Sequence, residues 1–125
     1  MYDGNNLFAR IIRGEVPCSK VYEDGAVLAF HDINPVAPLH VLVIPKGEYV
    51  SFHDFAAKAS AQEVQHFFLM VQKVAEYLEL ASTGYRLITN HGAHGMQTVP
   101  HFHVHVLGGE ELGPLVLGDV HHENA

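Results

Sequence analysis

The sequence predicts one α+β domain in which a short and a long helix pack on a five-stranded antiparallel sheet. The chain has 125 residues, the length of a single domain. Hydrophobic residues make up 48% of it and charged residues 17%, a balance typical of a globular chain with one modest core. The apolar periodicity changes in the order helix, strands, helix, strands, which favours the α+β class over alternating βαβ units.

The first part of the chain predicts a short helix and three strands. Apolar residues recur at helical spacing over 7–12, and a glycine and a proline soon afterwards end the helix. Segments 21–22 and 27–31 are rich in strand formers and are separated by an Asp-Gly turn, which indicates a hairpin. The apolar run 40–44, stopped by a proline, predicts the third strand.

One long helix follows. Ser60 and Glu63 have the spacing of a capping box, and Gly84 lies where a C-terminal stop is expected, so we predict a helix from 60 to about 81. Its predicted apolar stripe consists of Val64, Phe67, Phe68, Val71, Val74, Ala75 and Leu78.

Two further strands complete the predicted sheet. They cover 85–90 and 102–107 and are joined by a glycine-containing loop over 90–97. We assign the whole chain to one domain with its core at 6–114 and interpret 115–125 as a C-terminal tail.

Composition and charge exclude several classes of function. The formal net charge of −7 argues against general affinity for nucleic acid, which requires a basic face. The longest apolar runs are far shorter than the ~20 residues of a membrane span, and the first residues do not resemble a signal peptide. Cys18 is the single cysteine, so neither an internal disulfide nor a zinc-binding cysteine pair can form. We therefore predict a cytoplasmic protein without nucleic-acid or membrane partners.

The number and spacing of the histidines indicate a functional site. The chain contains 11 of them, and they concentrate between positions 91 and 105. In the run HFHVHV over 101–106, alternate residues of a strand share a face, so His101, His103 and His105 point to one side. A single histidine would be an ordinary sheet residue, whereas three in strict alternation indicate a functional site.

Two chemistries suit three imidazoles on one face. A zinc site could use His101 and His103 with His40 as a third ligand, but it would leave one ring of the run idle. Alternatively, a neutral imidazole, with an ordinary pKa near ~6.5, can attack phosphorus while its neighbours orient it and transfer protons. The second interpretation gives each ring a role.

The loop before the histidine run contains groups that suit an anion. Gly92 and Gly95 permit turns that aim backbone N–H groups at a phosphate, and Gln97 and Thr98 add polar side chains. A simple flexible turn explains the loop equally well, so its adjacency to the histidines is what favours an oxyanion cradle.

These segments resemble a known family. HFHVHVLGG, preceded by NHGAHGMQTVP, resembles the signature of the histidine-triad (HIT) family. The similarity runs from about Asn6 to Pro114 through NLFARIIRGEVPCSKVYED, LAFHDINPVAPLHVLVIPK and GYRLITN. The chain is most similar to the Hint branch, because related uridylyltransferases carry glutamine at position 105 and Fhit-like hydrolases differ at 107–109.

The resemblance implies a HIT fold and a homodimer whose two five-stranded sheets join into one. It also implies hydrolysis of purine nucleoside phosphoramidates, or of mixed anhydrides such as aminoacyl adenylates, through a nucleotidyl-histidine intermediate. AMP or GMP would be released, and no metal or other cofactor would be required. The alternatives are a dinucleoside polyphosphate hydrolase, a zinc hydrolase, and a nucleotide-binding module with little turnover.

The resemblance also implies roles for individual residues. His103 matches the nucleophile, His101 and His105 match its orienting and proton-handling neighbours, and His40 matches an upstream histidine that completes the site. Asp32 matches the acid that binds the ribose hydroxyls. The other implied nucleotide contacts are Phe8, Ile11, Phe30, His31, Ile33, Asn90, Gln97 and Thr98.

Several of these residues also have an ordinary structural explanation. Phe8, Ile11 and Phe30 have the spacing of core residues, and Asp32 has the setting of a turn residue. Glu110 departs from the family pattern, because relatives commonly carry a basic residue there. The acidic pair of Glu110 and Glu111 would repel a polyphosphate more than a monophosphoramidate.

Overall fold

The computed structural model describes residues 1–116, which form one antiparallel sheet and three helices. The helices are α1 (Leu7–Ile12), α2 (Phe52–Lys58) and α3 (Ala61–Tyr77). The strands are β1 (Lys20–Glu23), β2 (Val27–His31), β3 (Leu39–Pro45), β4 (Arg86–Ile88) and β5 (Val104–Gly108). Their spatial order is β1-β2-β3-β5-β4. The predicted α+β class and five-stranded sheet are confirmed, whereas most of the predicted tail, 117–125, lies outside the described residues.

Strand β3 lies at the centre of the sheet and brings the two halves of the chain together. It pairs with β2 on one side and with β5 on the other, both antiparallel. In the β3–β5 register His40 lies opposite Leu107 and Leu42 lies opposite His105. His40 therefore lies two positions from His105 along this ladder, although 65 residues separate them in sequence.

The predicted hairpin of β1 and β2 is confirmed, and Asp24 makes its turn. Its Oδ1 accepts hydrogen bonds from the backbone N–H groups of Ala26 and Val27, each at 2.7 Å. Its Oδ2 accepts from the Tyr22 hydroxyl at 2.6 Å and contacts Nε2 of His66 on α3 at 2.7 Å. One carboxylate thus holds the turn and ties it to the long helix.

Apolar residues pack on both faces of the sheet, as strand alternation requires. One face carries α2 and α3, and its buried cluster includes Val41, Val43, Phe55, Phe67, Phe102, Val104 and Val106. The other face carries α1, and its buried cluster consists of Phe8, Ile11, Leu28, Phe30, Leu42 and Ile44. The helices cover both faces, but the second face leaves room for a ligand site beside α1.

Helix α2 was not predicted from the sequence. Ser51 caps it by accepting the Asp54 N–H, and Phe55 is its one buried residue. A helix of two turns with a single buried side chain has no apolar stripe for periodicity to detect.

Helix α3 begins where the sequence predicts and ends earlier. The capping box of Ser60 and Glu63 is present. The helix ends at Tyr77, because Glu79 adopts a left-handed backbone conformation with φ of 61°. The predicted stripe is confirmed in most positions, although Phe68 is exposed and Met70 is buried instead. Among residues 1–116, none of the three helices has both the length and the hydropathy that a membrane span requires.

Candidate active site

A cleft of about 430 Å³ opens beside α1 on the second face of the sheet. Eight of the nine side chains expected to contact a nucleotide line it: Phe8, Ile11, Phe30, His31, Asp32, Ile33, Asn90 and Thr98. His103 and His105 also line it. Further lining residues, which the sequence did not single out, are Leu7, Val16, Pro17, Cys18, Asn34, Leu42, Met96 and Val99. Most of these are apolar residues that pattern alone assigns to core or loop.

The rings of His103 and His105 line the cleft, as alternation predicts, whereas the His101 ring packs beside Phe8 without lining it. Phe102, Val104 and Val106 belong to the core on the opposite face. The regular strand begins only at Val104, so His101 and His103 precede it, and His101 lies in a bend where its N–H donates to the Val99 carbonyl at 2.9 Å. This chain is anchored by the Phe102 N–H, which donates to the carbonyl of Tyr49 at 2.7 Å.

His103 is buried, with one ring nitrogen bonded inside the protein. Its Nδ1 lies 2.8 Å from the carbonyl oxygen of His101. A carbonyl oxygen can only accept, so Nδ1 carries the proton and Nε2 retains the lone pair. Burial lowers the pKa of His103, although the His101 carbonyl and the Asp32 charge oppose this. A neutral ring with a free Nε2 lone pair beside a cleft can act as a nucleophile.

His101 lies behind this nucleophile and does not line the cleft. Its Nε2 donates to the carbonyl of Pro45 at 2.8 Å, and its Nδ1 lies 2.6 Å from the hydroxyl oxygen of Tyr2. Burial lowers the pKa of His101 to about 4, while the hydrogen bond to Pro45 opposes the shift and nearby His103 adds to it. The ring is therefore neutral at pH 7 and is held on both edges.

His40 and His105 form a second pair of linked imidazoles. The Val36 N–H donates to His40 Nδ1 at 3.2 Å, so the proton of neutral His40 is on Nε2. That nitrogen lies 2.8 Å from His105 Nδ1 and donates to it. The proton of neutral His105 is consequently on Nε2, where it can be donated to a ligand. Burial lowers the pKa of both rings, and for His105, where His103 and His40 add to the effect, it falls to about 4.

Asp32 combines the turn role and the site role that the sequence suggested. Its Oδ1 accepts the Asn34 N–H at 2.8 Å, which makes a local turn. Its Oδ2 lies 3.4 Å from His40 Nε2, and the side chain lines the cleft. The turn therefore aims this carboxylate at the histidine cluster.

Three side chains of the site could hold a metal ion. Within residues 1–116, Asp32, His40 and His105 offer ligand atoms that all lie within 4.8 Å of one another. This trio differs from the zinc ligands considered from the sequence, which combined His40 with His101 and His103. Both ring nitrogens of His101 already have partners inside the protein.

The loop before the histidines binds itself more than the sequence suggested. Gly92, with φ of 72°, donates its N–H to Gln97 Oε1 at 3.1 Å. Gln97 Nε2 in turn donates to the carbonyls of Val50 and Val99. The structure therefore does not bring Gln97 to the cleft, and the Gly92 N–H points at Gln97 rather than at an anion site. Of the groups expected to bind an anion, only the side chains that line the cleft remain available.

Asn90 and Thr98 are the polar loop side chains that remain at the cleft. Asn90 Nδ2 donates to the Gly95 carbonyl at 2.6 Å, which ties the two ends of the loop together. Gly95 is required here because a Cβ atom would lie 2.5 Å from the carbonyl oxygen of His91.

Comparison with known proteins identifies sequences like this one over most of its length. The HIT domain family matches residues 13–112. An uncharacterised HIT-like protein of Azospirillum brasilense is 53% identical over 115 residues, which cover 92% of this chain and 94% of that protein. The purine nucleoside phosphoramidase of Escherichia coli is 43% identical over 110 residues, which cover 88% of this chain and 92% of that protein.

Solved structures of two such proteins have the same fold. A HIT family hydrolase from Clostridium thermocellum matches with a TM-score of 0.82 and 45% identity, covering 90% of this chain and 96% of that one. A histidine triad protein from Clostridium difficile matches with a TM-score of 0.81 and 41% identity, covering 93% of this chain and 100% of that one. The likeness therefore extends well beyond the histidine run.

Proposed function

The chain belongs to the HIT family, and from this premise we propose that it hydrolyses purine nucleoside phosphoramidates to a nucleoside 5′-monophosphate. The observation that carries the proposal is the state of His103. Its Nδ1–H is committed to the His101 carbonyl, which leaves an unprotonated Nε2 on a ring that lines the cleft. Such a nitrogen can attack phosphorus without a separate general base.

The proposed reaction has two steps. In the first, the lone pair of His103 Nε2 forms a bond to the α-phosphorus, the phosphorus–nitrogen bond of the substrate breaks, and the amine leaves with a proton from a protonated neighbour or from water. In the second, water cleaves the nucleotidyl-histidine and releases the monophosphate. His105 Nε2–H can donate to a phosphoryl oxygen as negative charge grows on it in either step.

The shape of the cleft supports a nucleotide as the substrate. Phe8, Ile11 and Phe30 form an apolar part that suits a planar base. Asp32 offers carboxylate oxygens to the two ribose hydroxyls, and Asn90 offers a polar side chain near the histidines. These groups lie on one continuous surface with His103, as a nucleoside monophosphate requires.

A dinucleoside polyphosphate hydrolase is the second candidate, because the same cleft would accept its adenosine half. Glu110 and Glu111 are exposed beyond the end of β5 and are not among the residues that line the cleft. A polyphosphate that extends out of the cleft meets more repulsion from the net negative charge of the chain than a monophosphoramidate does. We infer from this that an amine is the preferred leaving group.

The experiment measures AMP release from adenosine 5′-phosphoramidate with a chelator present, beside diadenosine tetraphosphate at equal concentration. We expect AMP from the phosphoramidate, undiminished by the chelator. His103→Ala should abolish turnover while AMP still binds, because the base, ribose and phosphate contacts remain. His53→Ala, which removes an exposed histidine of α2, serves as the matched control and should keep the wild-type rate.

Each contrary result has a separate meaning. A full rate in His103→Ala would refute the nucleophile, and loss of activity in the chelator would indicate a metal held by Asp32, His40 and His105. Faster cleavage of the polyphosphate would support the second candidate. Binding without turnover of either substrate would indicate a nucleotide-binding module.

The homodimer also remains a proposal. Strand β4 is an edge of the sheet, and Leu87 on it and Tyr85 beside it are exposed. An edge strand presents unpaired backbone groups, so a second copy pairing along β4 would join two sheets of five strands into one. Cytoplasmic placement and the absence of nucleic-acid partners stay predictions from composition.

A further inference from the structure

The segment before α1 reaches the catalytic histidines, although it precedes the region matched by the domain family. The Tyr2 hydroxyl lies 2.6 Å from His101 Nδ1, and the two rings meet edge-on with centroids 5.6 Å apart. Arg13 donates from its guanidinium to the Gly4 carbonyl at 2.7 Å, which holds the segment against the end of α1. The segment before α1 is therefore anchored in a position that places the Tyr2 hydroxyl against His101.

The hydrogen bonds of His101 define where its proton lies. Nε2 faces the carbonyl oxygen of Pro45, which can only accept, so Nε2 carries the proton. Nδ1 of a neutral ring is then an acceptor, and the Tyr2 hydroxyl is its donor. His101 is fully buried, so no other donor replaces Tyr2 without a change in structure.

The position of His101 in turn controls His103. The His101 backbone carbonyl accepts from His103 Nδ1, and this bond leaves the lone pair on Nε2 of the nucleophile. Nε2 of the His101 ring is bonded to Pro45 at the end of β3, and Nδ1 is bonded to Tyr2 in the segment before α1. Both bonds of the ring therefore help to hold the residue whose carbonyl orients the nucleophile.

We propose that Tyr2 is a positioning residue of the active site, whose hydroxyl, together with the Pro45 carbonyl, holds the His101 ring in its Nε2–H form and thereby keeps the His103 Nε2 lone pair directed at the substrate. The proposal deepens the phosphoramidase function and rests on it. Tyr2 and His101 do not line the cleft, so the hydroxyl acts through the nucleophile and not through substrate binding.

The test compares Tyr2→Phe with Tyr22→Phe. Each variant removes one hydroxyl that donates a hydrogen bond at 2.6 Å, and the Tyr22 hydroxyl donates to Asp24, which lies in the β1–β2 turn rather than in the cleft. For Tyr2→Phe we expect kcat on adenosine 5′-phosphoramidate to fall about tenfold with KM changed less than about twofold. Tyr22→Phe should lower stability and keep the wild-type kcat.

Nitrogen-15 spectra of the histidine rings supply a readout that does not depend on activity. Wild type should show His101 protonated on Nε2 and His103 protonated on Nδ1. Tyr2→Phe should shift the Nδ1 resonance of His101 and give a mixed tautomer at His103, whereas Tyr22→Phe should leave both rings unchanged.

Two outcomes would overturn the proposal. One is a wild-type kcat with unchanged ring spectra in Tyr2→Phe; the other is an equal loss of kcat in both variants that follows their loss of stability. If wild type failed to cleave the phosphoramidate, the proposed function would fall by itself. The ring spectra would then still decide whether Tyr2 holds the two tautomers.

Discussion

Acidification from pH 7.5 to 5 should destabilise the folded protein, because two histidines of the site are buried in their uncharged form. The pKa of both His101 and His105 is about 4 in the folded chain, chiefly because of burial. In the unfolded chain a histidine titrates near ~6.5. Between these values the unfolded state binds protons that the folded state does not, so the free energy of unfolding falls as the pH falls.

The magnitude follows from the size of the shift. A pH of 5 lies about 1.5 units below the pKa of His101 in the unfolded chain. Protonation there therefore lowers the free energy of unfolding by about 2 kcal/mol. Because His105 is less completely buried than His101, solvent screens part of its effect, and we assign it about 1 kcal/mol of the loss. The sum of about 3 kcal/mol is large beside the roughly 5–15 kcal/mol that stabilises a typical domain. Burial lowers the pKa of His103 and His40 as well, which adds in the same direction.

Urea unfolding followed by far-ultraviolet circular dichroism at pH 7.5, 6 and 5 measures this effect. Carboxylates of the unfolded chain titrate near ~4, so this pH range reports mainly on histidines. His105→Gln should reduce the loss between pH 7.5 and 5 by about 1 kcal/mol. His53→Gln, at an exposed position on α2, should leave the loss as in wild type. Equal free energies of unfolding at pH 7.5 and 5 would refute the reasoning.

Two further predictions concern other contacts of the site and the fold. His40→Ala removes the donor to His105 Nδ1, so we expect kcat to fall at least about tenfold while AMP affinity, measured by titration, changes little; an unchanged kcat would exclude the imidazole pair from catalysis. Asp24→Asn removes a partly exposed carboxylate; burial raises its pKa, but hydrogen bonds led by that from Tyr22 outweigh this and lower the pKa to about 2. The stabilisation is complete above pH ~4 and is lost as the pH falls through about 2, so after allowance for solvent screening the variant should lose about 1 kcal/mol in urea unfolding at pH 7 and progressively less between pH ~4 and pH ~2. A difference that does not shrink between pH ~4 and pH ~3 would contradict this.

Features of the fold that depend on neighbours in sequence could be predicted. The capping box of Ser60 and Glu63 and the Asp24 turn are contacts between residues two or three positions apart. Alternation along a strand is equally local, so the sequence correctly separated the faces of the histidine run. Helix α2 was not predicted, because a single buried residue, Phe55, produces no apolar periodicity in the sequence.

The sequence pattern predicts which imidazoles share a face, whereas the proton positions on those rings follow from contacts that exist only in the folded chain. His101 and Tyr2 are 99 residues apart, His40 and His105 are 65 apart, and Gln97 and Val50 are 47 apart. No periodicity relates such pairs, because the register of β3 with β5 and the path of the chain before α1 bring them together. A histidine pattern specifies that rings share a face, whereas the tautomer of each ring depends on the donor or acceptor that folding places at its other nitrogen.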